Sequence, residues 1–329
     1  MSLNKRKLSY GLAINEALLQ IMEKDSSVLL LGQGVKSPWY VGATCNDLAQ
    51  KFGEDRVIDT PISENAMTGA AVGAALVGMR SVILYPRMDF MLYAVDPIVN
   101  EAANWSYVLG GASSVPIVIW GIVNRGHEQG AQHAQALQTM FAHIPGLKVV
   151  IPSTPYDAKG LLIAAIQDDN PVVYIDDRWL YNQEGDVPEE MYSIPIGQGI
   201  VRKEGKDVTV AGTSYMALKA VQAAEDLAKE GIDAEVIDLR SLKLIDEELL
   251  FNSIKKTGRL VIADGTWKNY GVAAEISALV TENIFAYLKA GIKRVSLPNA
   301  PAPSSRTMEQ AYYPGEKEII KAVKNIINE

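Results

Sequence analysis

Cysteine is nearly absent: Cys45 stands alone in 329 residues. An intrachain disulfide and a four-thiolate zinc site are therefore excluded, and a reducing, cytoplasmic setting is expected. Excess positive charge is also missing. The formal net charge is −8, and a surface of that sign repels phosphate backbones, so no nucleic-acid partner is expected. Long apolar runs are lacking too. The longest, such as residues 114–123, fall well short of the ~20 residues a membrane helix needs. The start, Met-Ser-Leu-Asn-Lys-Arg-Lys-Leu, carries positive charge without the apolar stretch of a signal peptide. No membrane association is expected.

Several site signatures are incomplete. No full Gly-x-Gly-x-x-Gly follows a strand pattern, which argues against a nicotinamide dehydrogenase. Gly212-Thr213-Ser214 lacks the other glycines of that fingerprint and reads as a tight turn capped by Ser214. Ala263-Asp264-Gly265 lacks the first glycine of a Gly-Asp-Gly metal–diphosphate motif, and no asparagine pair follows it.

What is present is an alternation of short apolar runs and longer helical patterns. Residues 27–31, 81–85, 115–119, 147–151 and 171–175 are continuous apolar strands. Strands without polar alternation are buried on both faces, as in a parallel sheet between helices. Helical patterns cover 10–23, 63–77, 94–107 and 155–167, the last opened by a Thr154 cap with Pro155 in the first turn. A polar, acidic, proline-bearing stretch at 182–195 reads as a linker. Strand and helix patterns resume beyond it. The expected fold is α/β in two domains: a parallel-sheet domain over 1–188 and a smaller α/β domain over 189–329.

Two segments carry candidate chemistry. In Asp59-Thr60-Pro61-Ile62-Ser63-Glu64 a strand ends, proline turns the chain and a helix rich in Gly and Ala begins. Gly69, Gly73 and Gly78 imply that something packs closely against that helix. Glu64 would lie at the C-terminal edge of a parallel sheet, where such sheets bind ligands. Taken locally, the same residues also describe a plain helix start, with Ser63 as cap and Glu64 favoured by the helix dipole. The second segment, Gly126-His127-Glu128-Gln129-Gly130-Ala131-Gln132-His133, combines glycine with polar groups after a buried strand, as active-site loops do. It holds two of the three histidines, with no third metal ligand beyond Glu128; a solvated loop fits it equally well. His143 fits the C-terminal end of a helix.

Ordered stretches then add a resemblance. They are Ala13-Ile14-Asn15-Glu16-Ala17-Leu18, Phe52-Gly53 through Glu64, Ile98-Val99-Asn100-Glu101-Ala102-Ala103, Gln132-His133-Ala134-Gln135, His143 through Val150, and Pro152 through Leu162. Together they resemble the β subunit of the thiamine-diphosphate-dependent decarboxylating component of 2-oxo acid dehydrogenase complexes, a family of pyruvate, branched-chain and acetoin types related to transketolase. The match spans nearly all of the first domain and is weaker in the second.

The resemblance implies a pyrimidine-binding domain followed by a transketolase C-terminal-like domain. It implies that Glu64 is the carboxylate hydrogen-bonded to the aminopyrimidine ring of thiamine diphosphate. A carboxylate there favours the imino tautomer, whose nitrogen takes the proton from the thiazolium carbon. Phe90, with Tyr93 a turn later, would wall the pyrimidine, and His133 would face the substrate carboxylate or developing alkoxide. Ile117, Ala165, Asp168 and Asn170 fall where several relatives hold potassium through carbonyl oxygens. In the family a separate α subunit supplies the magnesium and diphosphate ligands, so an α₂β₂ heterotetramer is implied, with a lipoyl acyltransferase core in the multienzyme complexes.

Two departures bear on substrate. Relatives usually have Gly-Glu-Asp-Val after the first strand; here it is Gly32-Gln33-Gly34-Val35. The family's acidic residue there has been assigned to proton transfer between active sites, which glutamine cannot perform in the same way. Trp120 through Arg125 replaces the usual Arg-x-Pro, and Arg87 stands where some relatives place an aromatic. A two-subunit transketolase-like enzyme acting on a sugar or other aldehyde is therefore the alternative. A non-catalytic paralogue is the alternative of another class, opposed by the joint presence of Glu64, Phe90 and His133.

Overall fold

The computed structural model describes residues 6–329, so most of the charged start, residues 1–5, lies outside the described residues. The chain forms two compact units. One holds the chain up to Arg125 together with Gln132–Ile196; the other holds Gly126–Ala131 and Gly197–Glu329. No helix among the described residues is long and apolar enough to cross a membrane.

The first unit contains β1 (Lys7–Ser9), α1 (Tyr10–Lys24), β2 (Val28–Gly32), α2 (Leu48–Phe52), β3 (Val57–Asp59), α3 (Glu64–Leu76), β4 (Arg80–Tyr85), α4 (Asn104–Val108) and β5 (Ile117–Val123). It continues with α5 (Gln138–His143), β6 (Lys148–Val150), α6 (Pro155–Gln167), β7 (Val172–Asp177) and β8 (Glu184–Asp186). Parallel pairings run in the order β6-β7-β5-β4-β2-β3. Every residue of β5 and β7 is buried, because helices cover both faces of the sheet. α6 opens on a capping box in which Thr154 and Asp157 bond each other's backbone N–H, satisfying two orphan donors.

The polar stretch expected as a linker is instead strapped to this unit. β8 pairs antiparallel with β1. The fully buried Lys159 ammonium donates to the carbonyls of Pro188, Glu189 and Glu190 and pairs with Glu16 at 2.6 Å. A buried ammonium needs several acceptors, and the loop backbone provides them. The single helix expected over 94–107 is also not found. A 3₁₀ turn, Met88–Ala94, precedes a wide π turn, Pro97–Ala103, and only then comes α4.

The second unit contains β9 (Ile200–Lys203), β10 (Val208–Gly212), α7 (Ser214–Lys229), β11 (Ala234–Asp238), β12 (Ser241–Lys243), α8 (Glu247–Thr257), β13 (Leu260–Trp267), α9 (Val272–Ile284), β14 (Lys293–Leu297), α10 (Arg306–Tyr312) and α11 (Glu316–Ile327). Strand order is β14-β13-β10-β11-β9, parallel except for β9. α7 and α11 close one face over Val210, Met216, Leu227, Val236, Ile319 and Val323.

Ser214 does not cap α7 as expected. It is the first helical residue, at φ +50, and its buried hydroxyl has no hydrogen-bond partner among the described residues, while Thr213 holds the cap position. The turn is tight: a Cβ on Gly212 would meet the Ala217 Cα at 2.7 Å. Asp264 is engaged structurally, accepting from the backbone N–H groups of Thr266 and Ala273.

Candidate active site

Glu64 owes its place to strand register. β2 and β3 run parallel, with Gly32 opposite Asp59 at their C-terminal ends, so whatever follows each strand meets at the same sheet edge. The Thr60 N–H donates to the Gly32 carbonyl at 3.1 Å, and the Gly34 N–H to the Asp59 carboxylate at 2.8 Å. After this paired turn α3 begins with Glu64 in its first turn, while Ser63 makes no side-chain cap bond. The Glu64 carboxylate is buried, and Gln33 Nε2 donates to its Oε1 at 3.0 Å. Among the described residues nothing donates to Oε2. One turn on, Thr68 Oγ1 donates to the Glu64 carbonyl at 2.5 Å and bonds the Tyr85 hydroxyl. Burial pushes the Tyr85 phenol well above its ordinary range, against the Thr68 bond and with the Glu64 charge adding to the rise.

α3 packs against the 3₁₀ turn Met88–Ala94, which carries Phe90. The Phe90 ring meets the His133 imidazole edge-on, at 5.5 Å between centroids and 82° between planes. Asp89 builds this pair. Its carboxylate accepts from the Gln135 side chain at 2.8 Å and backbone N–H at 3.3 Å, pinning the histidine segment to the turn. Burial raises the Asp89 carboxyl above its usual range, while the Gln135 bonds and His133 pull it back. Tyr93 differs from Phe90: it is 74% exposed. His127 and Glu128 are not with His133. Glu128 pairs with Arg306 at 2.7 Å, and its N–H donates to Glu309, both inside the second unit.

Two half-buried arginines stand at the same sheet edge. Arg87 follows β4 and Arg178 follows β7, each half-buried. Arg87 donates to the Pro86 carbonyl and Arg178 to that of Tyr40. Desolvation, reinforced by the Arg178 charge, lowers the proton affinity of Arg87. Arg125, after β5, is paired with Asp177 at 2.6 Å, both buried.

Ile117, Ala165, Asp168 and Asn170 gather at the opposite end of the strands. Ile117 stands beside Ser81 at the start of β5. Asp168 ends α6 and accepts the Asn170 N–H at 2.9 Å. Two cations already face this group. Arg80 donates to the carbonyls of Ile166 and Asp168 at 3.1 and 3.0 Å, and Lys148 pairs with the Asp168 carboxylate at 2.5 Å.

Residues 6–183 match the transketolase pyrimidine binding domain, and residues 197–319 match the transketolase C-terminal domain. The acetoin:2,6-dichlorophenolindophenol oxidoreductase subunit beta of Cupriavidus necator is 45% identical over 330 residues, covering 97% of each chain. The chain belongs to the family of thiamine-diphosphate-dependent 2-oxo acid dehydrogenase β subunits. The mitochondrial pyruvate dehydrogenase E1 component subunit beta of Dictyostelium discoideum is 42% identical, covering 95% of this chain and 89% of its own. A solved split-gene transketolase, an inactive β₄ tetramer, shares the fold with a TM-score of 0.79 and 23% identity, covering 98% of both chains. Within this β-subunit fold, sequence reading singled out Glu64, Phe90 and His133 but gave no role to Asp89 and Gln135. Gln135 lies in a stretch that carries the resemblance, and Asp89 is the neighbour of Phe90. Nothing local in either motif says that they bond each other across 46 residues.

Proposed function

We propose that this chain is the cofactor-activating half of a heteromeric enzyme that decarboxylates a 2-oxo acid and passes the acyl unit to a lipoyl acceptor. The observation that carries the reading is the buried Glu64 carboxylate, with one oxygen held by Gln33 and the other without a donor among the described residues. That is the donor–acceptor chemistry a protonatable ring nitrogen requires, so the residues fit an aminopyrimidine. When bound, thiamine diphosphate supplies a carbon nucleophile and a sink for the electrons released on decarboxylation. Glu64 would exchange a proton with the pyrimidine nitrogen. Phe90 would exclude water beside it, and Tyr93 would add to this wall only where another chain covers it. His133, held through the Asp89–Gln135 bonds, would donate to the substrate carboxylate or alkoxide. Arg87 and Arg178 place two guanidinium groups at the sheet edge with which an anionic substrate could pair, which favours an oxo acid over a neutral sugar.

The other half of the site is proposed to come from an α subunit bearing the magnesium and diphosphate ligands, in an α₂β₂ assembly. The exposed face of α3 supports a partner: a Cβ on Gly69 or Gly73 would meet nothing within 4 Å, so the close packing implied by these glycines is not supplied by this chain. Gly73→Leu is expected to leave the isolated chain folded and to weaken assembly at least tenfold, about 1.4 kcal/mol, read by sedimentation. In a calorimetric titration with cofactor and magnesium, the isolated chain should bind weakly and the chain with its α partner tightly. Tight binding by the isolated chain would refute the shared site.

A cytoplasmic location and a lipoyl acyltransferase core belong to the same proposal. A structural potassium ion at Ile117, Ala165, Asp168 and Asn170 would share Asp168 with Arg80 and Lys148. It predicts a higher melting temperature in potassium chloride than in tetramethylammonium chloride at equal ionic strength. Identical melting would remove it.

A further inference from the structure

We infer that Gln33 is a positioning residue that fixes Glu64 in a single orientation by donating an amide N–H that carries no acid proton, leaving the other carboxylate oxygen for a ligand. The inference rests on the reading of Glu64 as the cofactor-activating carboxylate and deepens it.

The geometry is specific. Gln33 and Glu64 are each 8% exposed and 3.0 Å apart at Nε2 and Oε1. Both flanks of Gln33 are fixed to the β3 turn through the Gly32 carbonyl and the Gly34 N–H. Gly32 must be glycine, since a Cβ would lie 2.6 Å from the Leu84 carbonyl oxygen, and Gly34 sits at φ +72. The amide is therefore presented by a backbone with little freedom. Thr68 and Tyr85 brace Glu64 from the helix side without donating to its carboxylate.

The chemistry follows from what an amide N–H can do. It donates and cannot accept, so it favours a charged carboxylate oxygen over the protonated one. Held through Oε1, the carboxylate leaves Oε2 for a ligand. An acid at position 33 would behave differently. Two carboxyls at this distance cannot both ionise, so they would share one proton and titrate as a pair. In this chain residue 33 sets the direction of Glu64, and its amide offers no acid proton to relay.

The test uses infrared difference spectra of the full-length chain near neutral pH and turnover of the assembled enzyme. Gln33→Glu minus wild type should show a protonated-carboxyl stretching band in addition to that of the buried Asp176, which both proteins share. The swapped pair, Gln33→Glu with Glu64→Gln, should lose that band, because the carboxylate again accepts from an amide. Gln33→Leu should lower turnover at least tenfold at saturating cofactor; should it fail to fold, the swapped pair preserves the atoms and volume of the contact. No added band in Gln33→Glu, or wild-type turnover in Gln33→Leu, would overturn the positioning role. If Glu64→Gln itself kept full turnover, the functional reading would fail while the infrared band still reported the contact.

Discussion

Glu64→Gln should lower the turnover of the assembled enzyme by about 10²–10⁴-fold, the range a positioned general acid–base group supplies, while leaving the melting temperature within a few degrees of wild type. The amide is isosteric, and Gln33 can present its carbonyl to the new donor by turning its own amide, so packing is retained. What is lost is the ability to hold and release a proton at the ring nitrogen. Glu64→Ala should be at least as impaired, and cofactor affinity should fall with it. A variant with a normal circular dichroism spectrum and near wild-type turnover would remove Glu64 from the chemistry.

Asp176 carries the second large effect, on stability. It is fully buried at the end of β7, and burial pushes its carboxyl up to about 7, against the opposing bond from the Tyr181 hydroxyl at 2.7 Å. The unfolded chain titrates this group near the ordinary ~4. Between these values the folded state holds a proton that the unfolded state has released, so stability falls as pH rises. The contribution of the neutral acid is fully present below about 4 and lost by about 7. A separation of about three pH units corresponds to roughly 4 kcal/mol at most. Asp176→Asn mimics the neutral acid. Its melting temperature should match wild type near pH 4, pull ahead as pH rises and exceed it by several degrees at pH 8. Parallel melting curves for the two proteins across that range would contradict the assignment.

The sequence revealed most of the first unit because its strands are buried on both faces and leave uninterrupted apolar runs, as in 81–85 and 171–175. Short elements left no such trace. β3 and β8 have three residues each, too few for a period, and β8 lies in an acidic stretch that composition marks as linker. Only its pairing with β1 and the carbonyl contacts of Lys159 reveal it as structure. The Pro97–Ala103 turn was hidden for another reason: apolar spacing does not distinguish a wide helical turn from an α-helical one.

The site was legible to the extent that its residues sit in contiguous motifs. Glu64, Phe90 and His133 were found, and the structure joins the last two. Contacts that depend on register were not legible. Gln33 meets Glu64 because β2 and β3 end level with each other; in the sequence the two are 31 residues apart and read as unrelated. Nor does the sequence show that the two loop histidines group with different units. Gly126–Ala131 packs with one compact unit and the chain from Gln132 with the other, a division that falls between His127 and His133.

The most direct test of Glu64 as the activating group is the rate at which cofactor bound in the assembled enzyme exchanges its thiazolium C2 proton for deuterium. Quenched-flow NMR on wild type and Glu64→Gln measures this without involving substrate or acceptor. Exchange slowed by about 100-fold or more in the variant is expected. Equal rates would show that the carboxylate does not activate the coenzyme.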